Sequence, residues 1–151
     1  MKIIVKHFHE LTTQELYNIL QLRSEVFVVE QECIYQDIDG KDQKAIHVFF
    51  TENNKTIAYS RIFNEGEYFE NPSIGRVVVA KAERGKELGK KVMIEGAKYI
   101  KEKFTNKNIE ISAQKYLKEF YTDLGYEFTG SEYLEDGIPH IRMIKKQTIS
   151  K

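Results

Sequence analysis

The segment from Gly75 to Met93 (Gly-Arg-Val-Val-Val-Ala-Lys-Ala-Glu-Arg-Gly-Lys-Glu-Leu-Gly-Lys-Lys-Val-Met) constrains this chain more than any other. A run of β-branched residues passes into a basic, glycine-bearing turn and then directly into an amphipathic helix. That order sets a strand end, a loop of outward-facing amides and a helix N-terminus side by side. The first N–H groups of a helix have no internal acceptor, and the helix dipole adds partial positive charge there. A phosphate group satisfies both needs. The segment reads as an anion cradle for the diphosphate of a nucleotide-containing cofactor; the alternative is an ordinary surface turn with solvated lysines.

Two well-known cradles do not fit. A P-loop takes two glycines four residues apart followed by Lys and a hydroxyl residue. Here Gly85 and Gly89 are separated by three residues, and Lys90-Lys91 follow, so no hydroxyl is placed for magnesium. A dinucleotide fingerprint takes three glycines early in a strand–helix–strand unit. This loop has two, in mid-chain.

Length and charge bound the rest. A chain of 151 residues suits a single domain, 1–151, large enough to bury most of its apolar surface. Lys plus Arg and Asp plus Glu are 23 each, and this balance disfavours nucleic acid as a partner. The lone Cys33 allows no internal disulfide, which suits a reducing compartment; it reads as a buried small hydrophobe. No apolar run reaches membrane-spanning length, and Met1–Glu10 alternates rather than forming a signal block, so a cytoplasmic location is expected.

Periodicity supplies the elements. Ile3 and Val5 up to Phe8 predict a first strand; Thr12 with Glu15 predicts a capping box opening a helix with Leu16, Ile19, Leu20 and Val26 on its apolar face. The Asp-rich piece Gln36–Lys44 reads as a loop. Strands are expected near Ala45–Thr51, Thr56–Asn64 and Ser73–Ala80, with Glu52-Asn53-Asn54-Lys55 as a hairpin turn. The cradle helix runs to Phe104 with Leu88, Val92, Gly96, Tyr99 and Ile100 on one face, and Ile109–Ser112 is a short strand. Leu117, Phe120, Tyr121 and Leu124 share one helical stripe that Gly125 can end. A last hairpin joins Tyr126–Thr129 to Ile141–Ile144 around Asp136-Gly137. The sum is a mixed α+β chain of about seven strands and three or four helices.

Four stretches together carry a family resemblance. Arg84-Gly85-Lys86-Glu87-Leu88-Gly89 resembles the Arg-x-x-Gly-x-Gly/Ala signature of the GNAT superfamily of acetyl-CoA-dependent N-acetyltransferases. Gln114 through Tyr126, with Phe120-Tyr121 and Gly125-Tyr126, looks like its Asn-x-x-Ala-x-x-Phe-Tyr-x-x-x-Gly-Phe landmark. Leu22–Asp39 and Glu135–His140 are similar to the ElaA-like branch. The likeness runs from residue 20 to residue 143. Glu87 stands where the signature usually has a glycine, Gln114 replaces Asn and Leu117 replaces Ala.

The resemblance implies a single domain built on a mostly antiparallel sheet, with acetyl-CoA as cosubstrate, no metal, and an amine-bearing small molecule or protein as acceptor. It implies that Val77, Val78 and Val79 end a splayed strand whose backbone pairs with the cofactor arm. The amides of Arg84, Gly85, Lys86, Glu87, Leu88, Gly89 and Lys90 would take the diphosphate, and Gln114 would lie beside the arm. Tyr121 takes the position whose hydroxyl faces the cofactor sulfur, where a phenol of ordinary pKa can protonate a departing thiolate. On pattern alone Tyr121 is also a core aromatic. An amine arrives mostly protonated, so a base is needed; Glu30, Asp37, Asp39, His47, Glu110 and His140 are the candidates, each with a structural alternative. Arg23, Arg61 and Arg76 read as a loop-orienting cluster pairing with Glu25 or Glu30, or as a grip on an anionic acceptor. His7 and His9 would share a strand face, too few ligands for a metal. A second functional reading is a non-catalytic acyl-CoA-binding or regulatory module, motivated by Glu87 and by the missing obvious base; a third, a purely structural α/β interaction domain, needs the cradle to be accidental.

Overall fold

The computed structural model describes residues 1–147. Its elements run β1 (Lys2–His7), α1 (Thr13–Arg23), β2 (Ile46–Glu52), β3 (Lys55–Phe63), β4 (Ser73–Val79), α2 (Leu88–Lys103), β5 (Ile109–Gln114), α3 (Lys118–Asp123), β6 (Glu127–Glu135) and β7 (Ile138–Lys145). Local chemistry explains the boundaries. Thr12 Oγ1 accepts from Glu15 N–H at 3.0 Å while Glu15 Oε1 accepts from Thr12 N–H at 2.8 Å, the reciprocal cap that opens α1. Asn53 (φ 52) and Asn54 (φ 61) turn β2 into β3, and Asp136 (φ 49) with Gly137 (φ 77) turns β6 into β7. Positive φ at both central positions matches the right-handed twist of two-residue hairpins.

The strands form one mixed sheet in the order β1-β2-β3-β4-β5-β7-β6, antiparallel throughout except for the parallel β4–β5 neighbours. Side-chain alternation sorts the core into two layers. On one face Ile19, Leu22 and Val26 pack with Phe49, Tyr59 and Val78. On the other, Val92, Met93 and Ile100 of α2 pack with Val48, Phe50, Ala58, Ile62 and Ile74. A Cβ on Gly96 would stand 3.0 Å from Ile74 Cδ1, so glycine lets α2 lie close on the sheet.

Ile74 and Val78 fall on opposite faces although four residues apart, and a bulge is the reason. β3 opposes Arg61 to Gly75 and Tyr59 to Val78, leaving Ser60 alone against Arg76 and Val77. Arg76 is the extra residue, with φ 50. The insertion inverts the alternation and bends β4 away from β5.

Three expectations need correcting. The first helix gives way at Ser24 to a π-helical segment, Ser24–Glu30, so the buried stripe becomes Ile19, Leu22, Arg23 and Val26, with Leu16 and Leu20 half-buried. The strand expected over Tyr126–Thr129 continues to Glu135 as β6, because a bulge between Phe128 and Glu132, with Gly130 at φ 93, interrupts the pattern without ending the pairing. His9 does not share a strand face with His7; it lies in the 3-10 turn Phe8–Glu10, its ring stacked on that of His7 at 5.5 Å.

Candidate active site

β4 and β5 pair at one position only, Ser73 with Glu110, and then diverge. From Gly75 to Val79 the β5-side edge of β4 therefore has no strand partner. The gap opens into a cavity of about 490 Å³ lined by Val77, Val78, Val79, Arg84, Gly89, Gln114 and Tyr121, among others. Of the expected site residues these seven face one cavity. Gly85, Lys86, Glu87, Leu88 and Lys90 lie outside its lining, in the loop and first turn at its end.

The cradle is built by two left-handed residues. Gly85 (φ 87) turns the loop, and Glu87 (φ 60, ψ 25) is the N-cap of α2 without a side-chain cap bond. The first helical bond outside the turn runs from Lys91 N–H to Glu87 O at 3.0 Å. The N–H groups of Leu88, Gly89 and Lys90 consequently lack helical acceptors. Arg84 departs from expectation: its N–H donates to Lys81 O at 3.5 Å. Its guanidinium grips Glu30 with two bonds of 2.5 and 2.9 Å and reaches Val79 O at 3.3 Å. Lys86 Nζ is tied to Glu83 Oε2 at 2.6 Å.

Tyr121 is fixed by the end of its own helix. Gly125 (φ 95) closes α3, donating to Thr122 O, while Tyr126 N–H donates to Tyr121 O, both at 3.0 Å. That pair of bonds is a Schellman cap. Phe120 and Tyr126 flank the Tyr121 ring edge-on, at centroid distances of 5.0 and 6.0 Å. The side chain is buried, and its hydroxyl has no hydrogen-bond partner among the described residues. An ordinary phenol pKa was expected; burial instead pushes it well above 10. Such a hydroxyl stays protonated and remains a donor across the working pH range.

The candidate bases separate cleanly. Asp37 and Asp39 belong to a buried lattice of three arginines and three aspartates. Arg23 binds Asp37 Oδ2 through Nε (2.9 Å) and Asp42 Oδ1 through Nη1 (2.7 Å). Arg61 forks onto both oxygens of Asp39 at 2.9 Å and reaches Asp42 Oδ1 at 3.0 Å. Arg76 Nε lies 2.7 Å from Asp37 Oδ1, and Nη2 donates to Asp37 O at 3.2 Å. The arginines thus orient the loop as one reading held, but through these aspartates rather than Glu25 or Glu30. His47 is fully buried with both nitrogens used, Nδ1 on Tyr59 Oη (2.6 Å) and Nε2 on Asp42 O (2.9 Å); burial lowers its pKa. Glu110 is engaged by Arg142 (2.5 Å) and Asn71 (3.1 Å), and Glu30 by Arg84. Among these candidates His140 lines the cavity with Nδ1 on the Ile138 carbonyl oxygen (2.7 Å) and Nε2 3.3 Å from Glu135 Oε2.

The lattice predicts acid sensitivity. Burial alone would raise the Asp39 carboxyl, but the Arg61 hydrogen bonds and charge pull it down to about 2. Asp42 is lowered by Arg23 and Arg61 against the same burial. A depressed folded pKa contributes stability above the ordinary carboxylate value and loses it as pH falls toward the folded one. Between pH 4 and 2 amide exchange in Asp39–Ala45 should accelerate before that of α2; uniform protection across this window would contradict the lattice's role.

Cys33, expected to be buried, is half-buried and lines the cavity, its Sγ 3.6 Å from Asp136 O. Ser112, Tyr133 and Glu135 were not singled out as site residues. The first and third line the cavity, and Tyr133 stacks on His140. Strand alternation could have placed Ser112 and Gln114 on one face, but nothing local tied them to a hairpin over twenty residues away. Among the described residues no group of three possible metal ligands occurs, and no helix is long and apolar enough to cross a membrane.

The chain is 39% identical over 142 residues to the protein ElaA of Escherichia coli, covering 93% of each. The crystal structure of ElaA superposes with a TM-score of 0.88 at 37% identity, covering 97% of this chain and 100% of that one. A crystal structure of an acyl-CoA N-acyltransferase from Pseudomonas aeruginosa gives a TM-score of 0.90 at 36% identity, with 97% and 100% covered. At 13% identity, the PaiA N-acetyltransferase of Thermoplasma acidophilum in complex with coenzyme A shares the fold, with a TM-score of 0.67 over 97% of this chain and 100% of that one. The profile of the acetyltransferase (GNAT) domain matches residues 9–147. With its splayed strands, amide-lined turn and flanking helices accounted for, the chain belongs to the GNAT acetyltransferase family.

Proposed function

We propose that this protein moves an acetyl group from acetyl-CoA to a primary amine of a small molecule or protein, by direct attack on the thioester with Tyr121 as general acid. The observation that carries the reading is the single-pair junction of β4 and β5, which leaves an unpaired strand edge between a helix N-terminus and a buried tyrosine. An amide-bearing arm suits that edge, because the main chain of 75–79 has both donors and acceptors to offer. The N–H groups of Leu88, Gly89 and Lys90 suit a diphosphate, with Gly85, Lys86 and Glu87 shaping the turn. Gln114, whose Nε2 reaches Gln31 Oε1 at 3.4 Å, lies across the gap from the arm's path. That the fold relative from Thermoplasma acidophilum is a complex with coenzyme A supports coenzyme A as the ligand class.

The protein's contribution is chiefly positional. Holding thioester and amine in one cleft removes much of the entropic barrier. Tyr121 donates to the sulfur as negative charge develops there, in surroundings too dry for water to substitute. Because its own pKa is raised, it yields the proton only to a thiolate made basic by the same desolvation.

Glu87 offers a test of the cradle. Its left-handed backbone would suit glycine, while its charge lies beside the expected diphosphate. Glu87→Gly relieves about 1 kcal/mol of strain but loses a comparable favourable interaction with the helix dipole and adds chain entropy, so Tm should fall by only about 2–4 °C. Coenzyme A affinity should tighten by about fivefold, as removal of one nearby like charge allows. Calorimetry showing weaker binding would contradict the cradle.

The activity test is incubation with acetyl-CoA and a panel of primary amines, reading thiol release. Amine-dependent release is expected. Coenzyme A binding without release would favour the non-catalytic acyl-CoA-binding module instead.

A further inference from the structure

Building on the acetyl-transfer reading, we propose that His140 is the base that deprotonates the incoming ammonium, with Glu135 as the positioning residue that steadies the imidazolium and passes its proton to water. His140 stands in β7 opposite Gln114 of β5 and Tyr133 of β6. Its ring is buried and lines the same cavity as Tyr121. Nδ1 lies 2.7 Å from the Ile138 carbonyl oxygen, which can only accept, so Nδ1 carries the hydrogen. Nε2 of the neutral ring then presents a lone pair, and Glu135 Oε2 stands 3.3 Å from it. Two acceptors at that distance repel unless a proton lies between them. The pair is therefore shaped to receive one.

Tyr133 stacks on the imidazole with centroids 6.2 Å apart. Its hydroxyl is hydrogen-bonded to Ser112 Oγ, which also lies 3.4 Å from Glu135 Oε1. Glu135 is 40% exposed, with water on one side and the cavity on the other. Other charged or titratable groups near the pair are Asp136 in the turn, the Cys33 thiol against it, the Tyr68 phenol, which feels the Glu135 charge, and Arg142, which reaches Tyr133 Oη and is neutralised by Glu110. None of them occupies Nε2.

In the step itself, an ammonium N–H bond breaks and an Nε2–H bond forms. The freed lone pair makes the C–N bond as the C–S bond breaks. Tyr121 gives its proton to sulfur and is restored by the second proton leaving nitrogen. The proton on His140 departs through Glu135, so one proton is released per acetyl group moved.

The experiment is the pH profile of kcat/KM with an amine that the wild-type protein acetylates, alongside coenzyme A affinity. His140→Gln should lose about 10²-fold at neutral pH, with coenzyme A affinity unchanged, and recover at high pH where the amine arrives neutral. Glu135→Gln should lower kcat by about tenfold with KM and coenzyme A affinity unchanged, because the proton taken up by Nε2 loses its route to water. A His140→Gln profile matching wild type, or a Glu135→Gln protein with wild-type kcat, overturns the pair's role while leaving acetyl transfer standing. A wild-type protein that acetylates nothing in the amine panel removes both.

Discussion

Replacing Arg23 with methionine is expected to lower Tm by roughly 10 °C. The side chain is fully buried and sits where α1 passes into the π-helical segment. It satisfies Asp37 through Nε, Asp42 through Nη1 and the Asp37 carbonyl through Nη2 at 3.0 Å. Without it, two carboxylates that are 6% and 5% exposed keep only part of their pairing, from Arg76 and Arg61. Stranding buried charge costs about 3–5 kcal/mol, far above the near-zero worth of a surface pair. Arg23→Lys should fall between, since one ammonium cannot fork between two carboxylates. Thermal unfolding by circular dichroism checks this; a shift under 2 °C in the methionine variant would mean that the lattice contributes little.

The second large effect concerns turnover rather than folding. Tyr121→Phe should cut kcat by tenfold or more while leaving coenzyme A affinity and Tm close to wild type. The hydroxyl has no partner among the described residues, so its removal strands nothing. The ring contacts with Phe120 and Tyr126 stay in place, which separates this variant from a packing defect. Loss of kcat with unchanged affinity is the signature of an interaction made only as charge develops on sulfur. Equal kcat in the two proteins would remove Tyr121 from the chemistry.

Much of this was legible in the sequence because the signals were local. The cap at Thr12 and Glu15, the Asn53-Asn54 and Asp136-Gly137 turns, and the strand–turn–helix passage at 75–93 each depend on residues within a few positions. What stayed hidden depends on register or on distant partners. The bulge at Arg76 decides which valines face which layer, yet Arg76 carries none of the glycine or asparagine that usually marks positive φ. The partners of Arg23 and Arg61 lie 14 to 22 residues away in an irregular loop, where spacing predicts nothing. The meeting of His140 with Glu135 follows from a tight turn that could be read, but the Ser112 and Tyr133 support needed the β5–β7–β6 order, which no single-strand pattern specifies.

The arrangement as a whole is tested most directly by a crystal structure of the complex with coenzyme A. The diphosphate is expected on the N–H groups of Leu88, Gly89 and Lys90, the amide arm along the free edge of Val77–Val79, and the sulfur within hydrogen-bonding distance of Tyr121 Oη. A ligand seated elsewhere, or a sulfur pointing away from that hydroxyl, would contradict it.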